Sequence, residues 1–273
     1  MSAAPDTEKT LLFLHIQKTA GTTLLNIITR QYEKRRTLNL YDPRTAEKIT
    51  ASLSEEERKN IRLVNGHFSF GLHRYFPGKC DYITILRDPL ERTVSQFHFI
   101  LDFKTHPLHE EYNRNGYTLL HVIRNRMMIH LDNYMVRVIS GKDDVPFGEC
   151  TEEMLDTALE NLEKYFTLTG LQENFDAFVL SLADLYHWKK FLYYRRQRTG
   201  VSRPRVQDLD AETLEAVRSC NVLDQKLYDI IAPKVREELR KKGPAFEARV
   251  EKFKRKNQLM NRYLGWWPRA LTP

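Results

Sequence analysis

Residues Leu11–Thr23 read LLFLHIQKTAGTT. The run Leu11–Ile16 is apolar and short, as a buried strand is. It breaks into a loop with one lysine, Lys18, one glycine, Gly21, and hydroxyls at Thr19, Thr22 and Thr23. A helical pattern follows over Thr22–Tyr32. Strand, loop and helix N-terminus in that order make an anion-binding turn. Unpaired backbone N–H groups and the positive end of the helix dipole meet at one point. A phosphate-bearing ligand is therefore expected, with Lys18 beside it; the plainer alternative is an ordinary turn with a solvated lysine. The loop is not the nucleotide cradle G-x-x-x-x-G-K-[ST], because its glycine follows the lysine.

Outward from this loop, short apolar runs read as strands at Ile61–Val64, Tyr82–Leu86, Tyr165–Leu168 and Lys190–Tyr194. Helical patterns fall between them. Ser54–Asn60 opens with a Ser-x-x-Glu capping box from Ser54 to Glu57. Leu90–Phe103, Glu152–Glu163 and Glu173–Tyr186 follow, and Tyr117–Ser140 reads as an inserted helix pair. Strands alternating with helices predict an α/β fold with a mostly parallel central sheet and helices on both faces. From about Asp210 the chain is nearly all helix, with Leu214, Val217, Leu223, Leu227 and Ile231 at core spacing. The reading is one domain over 1–273, with a core at about 10–205 and a helical C-terminal subregion at about 206–273.

In open parallel sheets ligands bind outside the carboxyl ends of the strands. Lys18 follows the first predicted strand, Gly66–His67 the second, and Arg87 the third. These three groups converge on one rim. After Arg87, Asp88 is a good N-cap, Pro89 suits the first helical position and Glu91 stands three residues past the cap. Ser95 lies two turns into that helix. An arginine fork and a hydroxyl suit a phosphate. His67 can take a proton from a hydroxyl near neutral pH; His73 competes for that role, and His15 is read as packing under or orienting the loop.

The chain has 273 residues, 29% of them charged and 41% hydrophobic, which fits a globular protein. The net charge of +7 favours a polyanionic partner. No apolar stretch approaches the roughly 20 residues of a membrane span, and no signal-peptide core is visible. Cys80, Cys150 and Cys220 are odd in number, far apart and without metal-ligand spacing. A cytoplasmic location is the expectation. The segment Glu251–Pro268 mixes Lys252, Lys254, Arg255, Lys256 and Arg262 with Tyr263, Trp266 and Trp267. It reads as a solvated helix whose aromatics pack back, with peripheral membrane contact as the alternative.

HIQKTAGTT, GHFSFGL and RDPLERTVSQ together resemble the sulfotransferases that use 3′-phosphoadenosine-5′-phosphosulfate (PAPS). The resemblance is nearest to the branch with the heparan sulfate 2-O- and 6-O-sulfotransferases and their soluble bacterial relatives. Weaker likenesses at Asp132–Gly141 (DNYMVRVISG) and Leu168–Leu182 (LTGLQENFDAFVLSL) extend it over most of the chain. The resemblance implies a P-loop-like three-layer fold and transfer of a sulfuryl group to a hydroxyl, with a carbohydrate acceptor. It implies that Lys18, Thr19, Ala20, Gly21, Thr22 and Thr23 surround the 5′-phosphosulfate, that Arg87 and Ser95 hold the 3′-phosphate, and that His67 is the base. A basic loop, Arg195–Arg205, lies where related enzymes close over adenosine. No metal and no nucleic acid partner are expected. A magnesium-dependent kinase and a non-catalytic polyanion-binding protein are the alternative readings.

Overall fold

The computed structural model describes residues 9–195 and 204–263. The chain begins β1 (Thr10–Leu14), α1 (Gly21–Ile28), β2 (Thr37–Leu40), α2 (Pro43–Ser52), α3 (Glu55–Asn60), β3 (Leu63–Gly66), β4 (Cys80–Leu86) and α4 (Pro89–Asp102). It continues with α5 (His109–Arg114), α6 (Leu119–Arg124), α7 (Tyr134–Ser140), α8 (Glu152–Tyr165), β5 (Phe166–Leu171) and α9 (Phe175–Leu185). Three helices complete the described chain: α10 (Ala211–Ser219), α11 (Val222–Lys241) and α12 (Gly243–Tyr263).

The five strands form one sheet in the order β2-β3-β1-β4-β5, and every neighbouring pair is parallel. The chain leaves β1 for the β2 edge, returns to β3, and then crosses β1 to reach β4. That reversal puts the switch point, and so the ligand crevice, at the carboxyl end of β1. Alternation along the strands divides the core. Leu12, Leu14, Val64, Tyr82 and Leu86 pack on one face with α7, α8 and α11. Leu11, Phe13, Leu63, Ile83 and Ile85 pack on the other with α1, α9 and α12. The result is the expected three-layer P-loop-like arrangement, with β1 in its middle. Burial on both faces explains why β1 reads as an unbroken apolar run rather than an alternating one.

The Ser54–Glu57 capping box and the Asp88 cap with Pro89 at the first position form as the sequence requires. Three expectations are corrected. β2 is absent from the sequence reading because TLNL is a short edge strand with only Leu40 fully buried. β5 runs on to Leu171, paired residue by residue with Ile83–Leu86. Lys190–Tyr194 is not a strand: its partners are the turn after α1 and helix α12. The Tyr193 carbonyl accepts from Arg30 Nη1 at 2.7 Å, and the Tyr194 N–H donates to Asn257 Oδ1 of α12 at 2.9 Å. Tyr193 stacks on Phe253, 5.3 Å between ring centres. Strand-like composition here serves a helix–helix seam. Most of the predicted Arg195–Arg205 loop, and Trp266 and Trp267 of the tail, lie outside the described residues. No helix among the described residues is long and apolar enough to cross a membrane.

The DNYMVRVISG stretch is scaffold. Asn133 Oδ1 accepts from the Leu223 and Asp224 amides at the start of α11, at 2.8 and 3.1 Å. Asp224 in return accepts from the Met135 and Val136 amides at the start of α7, at 3.0 and 2.8 Å. Each helix thus supplies the other's N-cap. Asp132 and Arg137 form a fully buried ion pair, and Arg137 also donates to the Pro146 carbonyl at 2.8 Å. Replacing Asp132 by Asn leaves a buried guanidinium without its counter-charge, so Asp132→Asn should lose about 3–5 kcal/mol in urea unfolding. An unchanged midpoint would show that the pair is not the lock for this region.

Candidate active site

The rim is built from the segments that leave the sheet after β1, β3 and β4. β1 gives way to His15, whose N–H donates to the Gly66 carbonyl of β3 at 3.0 Å. The His15 ring stacks on Phe13, 5.4 Å away, and meets the His67 ring at 4.5 Å. Its far edge lies against Gly21: a Cβ there would fall 1.9 Å from His15 Cδ2. Only glycine lets α1 start so close to this imidazole. Burial is the main cause holding the His15 pKa well below its ordinary value, with His67 and Lys18 adding to it. His15 is therefore a neutral spacer under the loop.

The loop itself is tightly wound. Lys18 and Ala20 both have left-handed backbones, φ 69° and 71°. Such conformations cost roughly 1–2 kcal/mol each for a residue with a Cβ, and they bring successive amides to one side of the chain as an anion-binding concavity. The Thr19 hydroxyl turns inward to the Ile16 carbonyl at 2.8 Å. It shapes the loop instead of facing the mouth. The Ala20 carbonyl takes the amides of Thr23 and Leu24, and no side chain caps α1. Thr22 is half-buried and Thr23 buried. The first turn of α1 thus keeps the anion-binding character that the sequence implies.

His67 is placed by Gly66. Gly66 has φ 138°, and a Cβ there would sit 1.9 Å from the Leu40 carbonyl oxygen. That same oxygen accepts the His67 N–H at 2.7 Å. The imidazole Nδ1 lies 2.9 Å from the His15 carbonyl oxygen. A carbonyl only accepts, so Nδ1 carries the proton and Nε2 keeps its lone pair. Desolvation lowers the His67 pKa, partly opposed by that backbone bond. The group is a neutral imidazole held in one orientation. His73 is placed elsewhere. Its Nδ1 lies 3.2 Å from Tyr82 Oη, and its ring packs on Phe70 and Tyr165. Tyr82 stands near the amino end of β4, away from the rim.

Arg87 ties the rim together. One Nη donates to the Lys18 carbonyl at 3.0 Å, and the other pairs with Glu91 at 3.0 Å. The guanidinium thus locks the β1 loop to the start of α4. Ser95, buried, lies two turns on along α4. One turn further, Phe99 carries the Lys18 ammonium over its ring, 4.1 Å from the centroid. The structure therefore brings Lys18, His67 and Arg87 to one edge, linked through His15 and the loop backbone. Two neighbours escaped the sequence reading. Phe99 could have been found from its i+4 spacing to Ser95. His130 gave no local signal; its carbonyl accepts from the buried Arg92 at 2.8 Å. Burial, with Arg92 and His67 nearby, drives the His130 pKa down to about 4.

No thiol competes as a nucleophile. Burial pushes Cys80 up to about 11 and Cys150 and Cys220 up to about 12, so all three stay protonated at neutral pH. One cleft of about 760 Å³ lies apart, between α6, α10 and the segment around Phe147. It is lined by Asp132, already committed to Arg137, and it is not at a strand end.

A family model described as galactose-3-O-sulfotransferase matches residues 2–264. The chain belongs to that family. Human galactosylceramide sulfotransferase is 27% identical over 253 residues, covering 81% of this chain and 55% of the relative. Human heparan-sulfate 6-O-sulfotransferase 1 is 24% identical over 270 residues, covering 80% and 64%. A crystal structure of mouse sulfotransferase SULT7A1 complexed with PAP aligns at 13% identity over 80% of this chain and 66% of its own, with a TM-score of 0.37. The chain spans just over half the length of the galactosylceramide enzyme. The galactose-3-O family model spans all three rim motifs, the LTGLQENFDAFVLSL stretch and the DNYMVRVISG scaffold.

Keeping His15, His67 and His130 neutral inside the fold has a thermodynamic consequence. Their folded pKa values lie below the ordinary 6.5. Below that pH the unfolded chain binds protons that the folded one refuses, so stability falls as pH falls. The melting temperature should drop between pH 6.5 and about 4, and His130→Gln should make that acid limb shallower. A limb of the same slope in the variant would mean His130 is not held neutral.

Proposed function

We propose that this chain transfers a sulfuryl group from PAPS to a hydroxyl of a glycan or glycoconjugate. Membership of the galactose-3-O-sulfotransferase family supports the reaction class, and the relatives act by name on galactosylceramide, galactose and heparan sulfate. The observation that carries the reading is the pairing, on one rim, of a neutral His67 with a bare Nε2 and a lysine at the mouth of an anion-binding turn.

The acceptor oxygen attacks sulfur as the bond from sulfur to the bridging phosphate oxygen breaks. The hydroxyl proton passes to His67 Nε2, and 3′-phosphoadenosine-5′-phosphate (PAP) departs. Lys18 meets the charge that builds on the bridging oxygen. The amides of Thr19 to Thr22 hold the non-bridging oxygens, that of Thr23 being committed to the Ala20 carbonyl. Arg87 and Ser95 take the 3′-phosphate, with Arg87 sharing its fork between that group and Glu91. The transition state is loose and anionic, so fixed cations and oriented amides supply most of the acceleration. Unpaired thiols suit a reducing compartment such as the cytoplasm.

PAP should raise the melting temperature without magnesium, whereas Mg-ATP should not; the reverse pattern would favour a kinase. Label from PAPS should appear on a galactoside or a sulfatable polysaccharide. Lys18→Ala should lower kcat by about 10²–10³-fold with little change in PAP affinity. His67→Ala should lose about 10²–10⁴-fold while still binding PAP. The base must be unprotonated, so activity should fall as pH falls, with a midpoint below 6.5. An acid limb centred above that value would count against His67.

A further inference from the structure

Helix α12 uses one side to join the molecule. Phe246, Val250 and Phe253 pack into the core that holds α1 and α9, and Asn257 accepts the Tyr194 N–H. These positions recur at three- and four-residue spacing, so they share one side of the helix. Ala248, Lys252, Arg255, Lys256 and Leu259 recur with the same period on the opposite side. All of them are exposed, and with Glu251 they line a groove of about 440 Å³.

The charges on this outward side are not matched. On other surface helices a cation has an acid one turn away, as Lys164 has Glu160 at 3.0 Å and Lys241 has Glu238 at 2.6 Å. Helix α12 carries Arg249, Lys252, Lys254, Arg255, Lys256 and Arg262 against only Glu247 and Glu251. Glu251 pairs with Lys254 at 3.6 Å, and Arg249 is held by both oxygens of Asp184. Lys252, Arg255 and Lys256 have no ion pair among the described residues. Lys252 and Lys256 stand one turn apart, where like charges repel, and an anionic surface relieves that repulsion. The apolar component selects the kind of surface. Leu259 is 50% exposed, one turn beyond Arg255 and Lys256. A polysaccharide or a nucleic acid gives an aliphatic side chain little to bury in, whereas the headgroup–acyl boundary of a bilayer receives it. The chain continues at residues 264–273 as LGWWPRALTP, with two tryptophans, one arginine and no acidic residue. Tryptophan is enriched where chains meet a membrane surface.

We propose that the outward face of α12 is a docking surface for an anionic lipid bilayer. Lys252, Arg255 and Lys256 meet the headgroups, and Leu259 enters between them. The helix then lies in the plane of the surface, with its buried side still holding the body of the molecule. The docking is independent of the transfer reaction.

The test sediments the full chain with vesicles of phosphatidylcholine alone and of phosphatidylcholine with phosphatidylglycerol. The chain should bind the mixed vesicles only, and binding should weaken at high salt, which screens exposed charges. Lys252→Gln, Arg255→Gln and Lys256→Gln combined should weaken it on the order of 100-fold, from the attraction each cation gains near an anionic surface. Leu259→Ser should weaken it about 3- to 10-fold through lost apolar contact. These side chains are exposed, so the variants should melt at the wild-type temperature. Equal binding to neutral vesicles, or undiminished binding by the triple variant, overturns the proposal. Undiminished binding by Leu259→Ser overturns the choice of a bilayer. Failure to bind either vesicle overturns the proposal outright, and retention on heparin through the same three cations would then mark a polysaccharide site.

Discussion

Strand β1 is buried on both faces, and the rim is built where that burial stops. Inside the sheet, the β1 backbone is satisfied by β3 and β4, and its side chains fill two separate cores. Past Leu14 the chain must leave the sheet and turn into α1 within six residues. That turn is accomplished with left-handed residues and a helix start that no side chain caps. Polar groups concentrate there because the core ends there. β3 ends level with β1 and β4 runs about two residues further, so the residues just past them, His67 and Arg87, arrive at the same edge.

Charge on this molecule is handled in three distinct ways. Arg137 is wholly buried and matched by Asp132, and that pair closes a scaffold turn. Arg87 is mostly buried and partly offset by Glu91, which suits a clamp that must still meet an anion. Lys18 lies with its ammonium over the Phe99 ring. The histidines add a fourth pattern. His15, His67 and His130 are kept neutral chiefly by burial. A cluster that could have carried positive charge instead supplies one oriented lone pair beside the cations. On the proposed reading, proton acceptance and charge stabilisation fall to separate residues.

Similarity in sequence does not separate these duties. The DNYMVRVISG stretch resembles the sulfotransferases too, though more weakly than the rim motifs, and its residues cap two helices against each other and bury an ion pair. The constraint there is architectural. Two helix N-termini meet in the interior, and every amide in them must find an acceptor. Asn133 and Asp224 answer one another across 91 positions of chain.

The sequence by itself determined the parallel α/β fold, the strand–loop–helix turn, the Asp88 cap and the three strand-end groups Lys18, His67 and Arg87. Each of these rests on local chemistry: apolar runs, capping residues and the residue just past a strand. The different surroundings of His67 and His73, the proton on Nδ1, the ring under Lys18 and the fate of Lys190–Tyr194 were decided only by tertiary structure. They depend on contacts between residues far apart in the chain. His67 keeps its lone pair on Nε2 because the His15 carbonyl, 52 residues earlier, lies 2.9 Å from its other nitrogen, and no periodicity or motif encodes a distance of that kind.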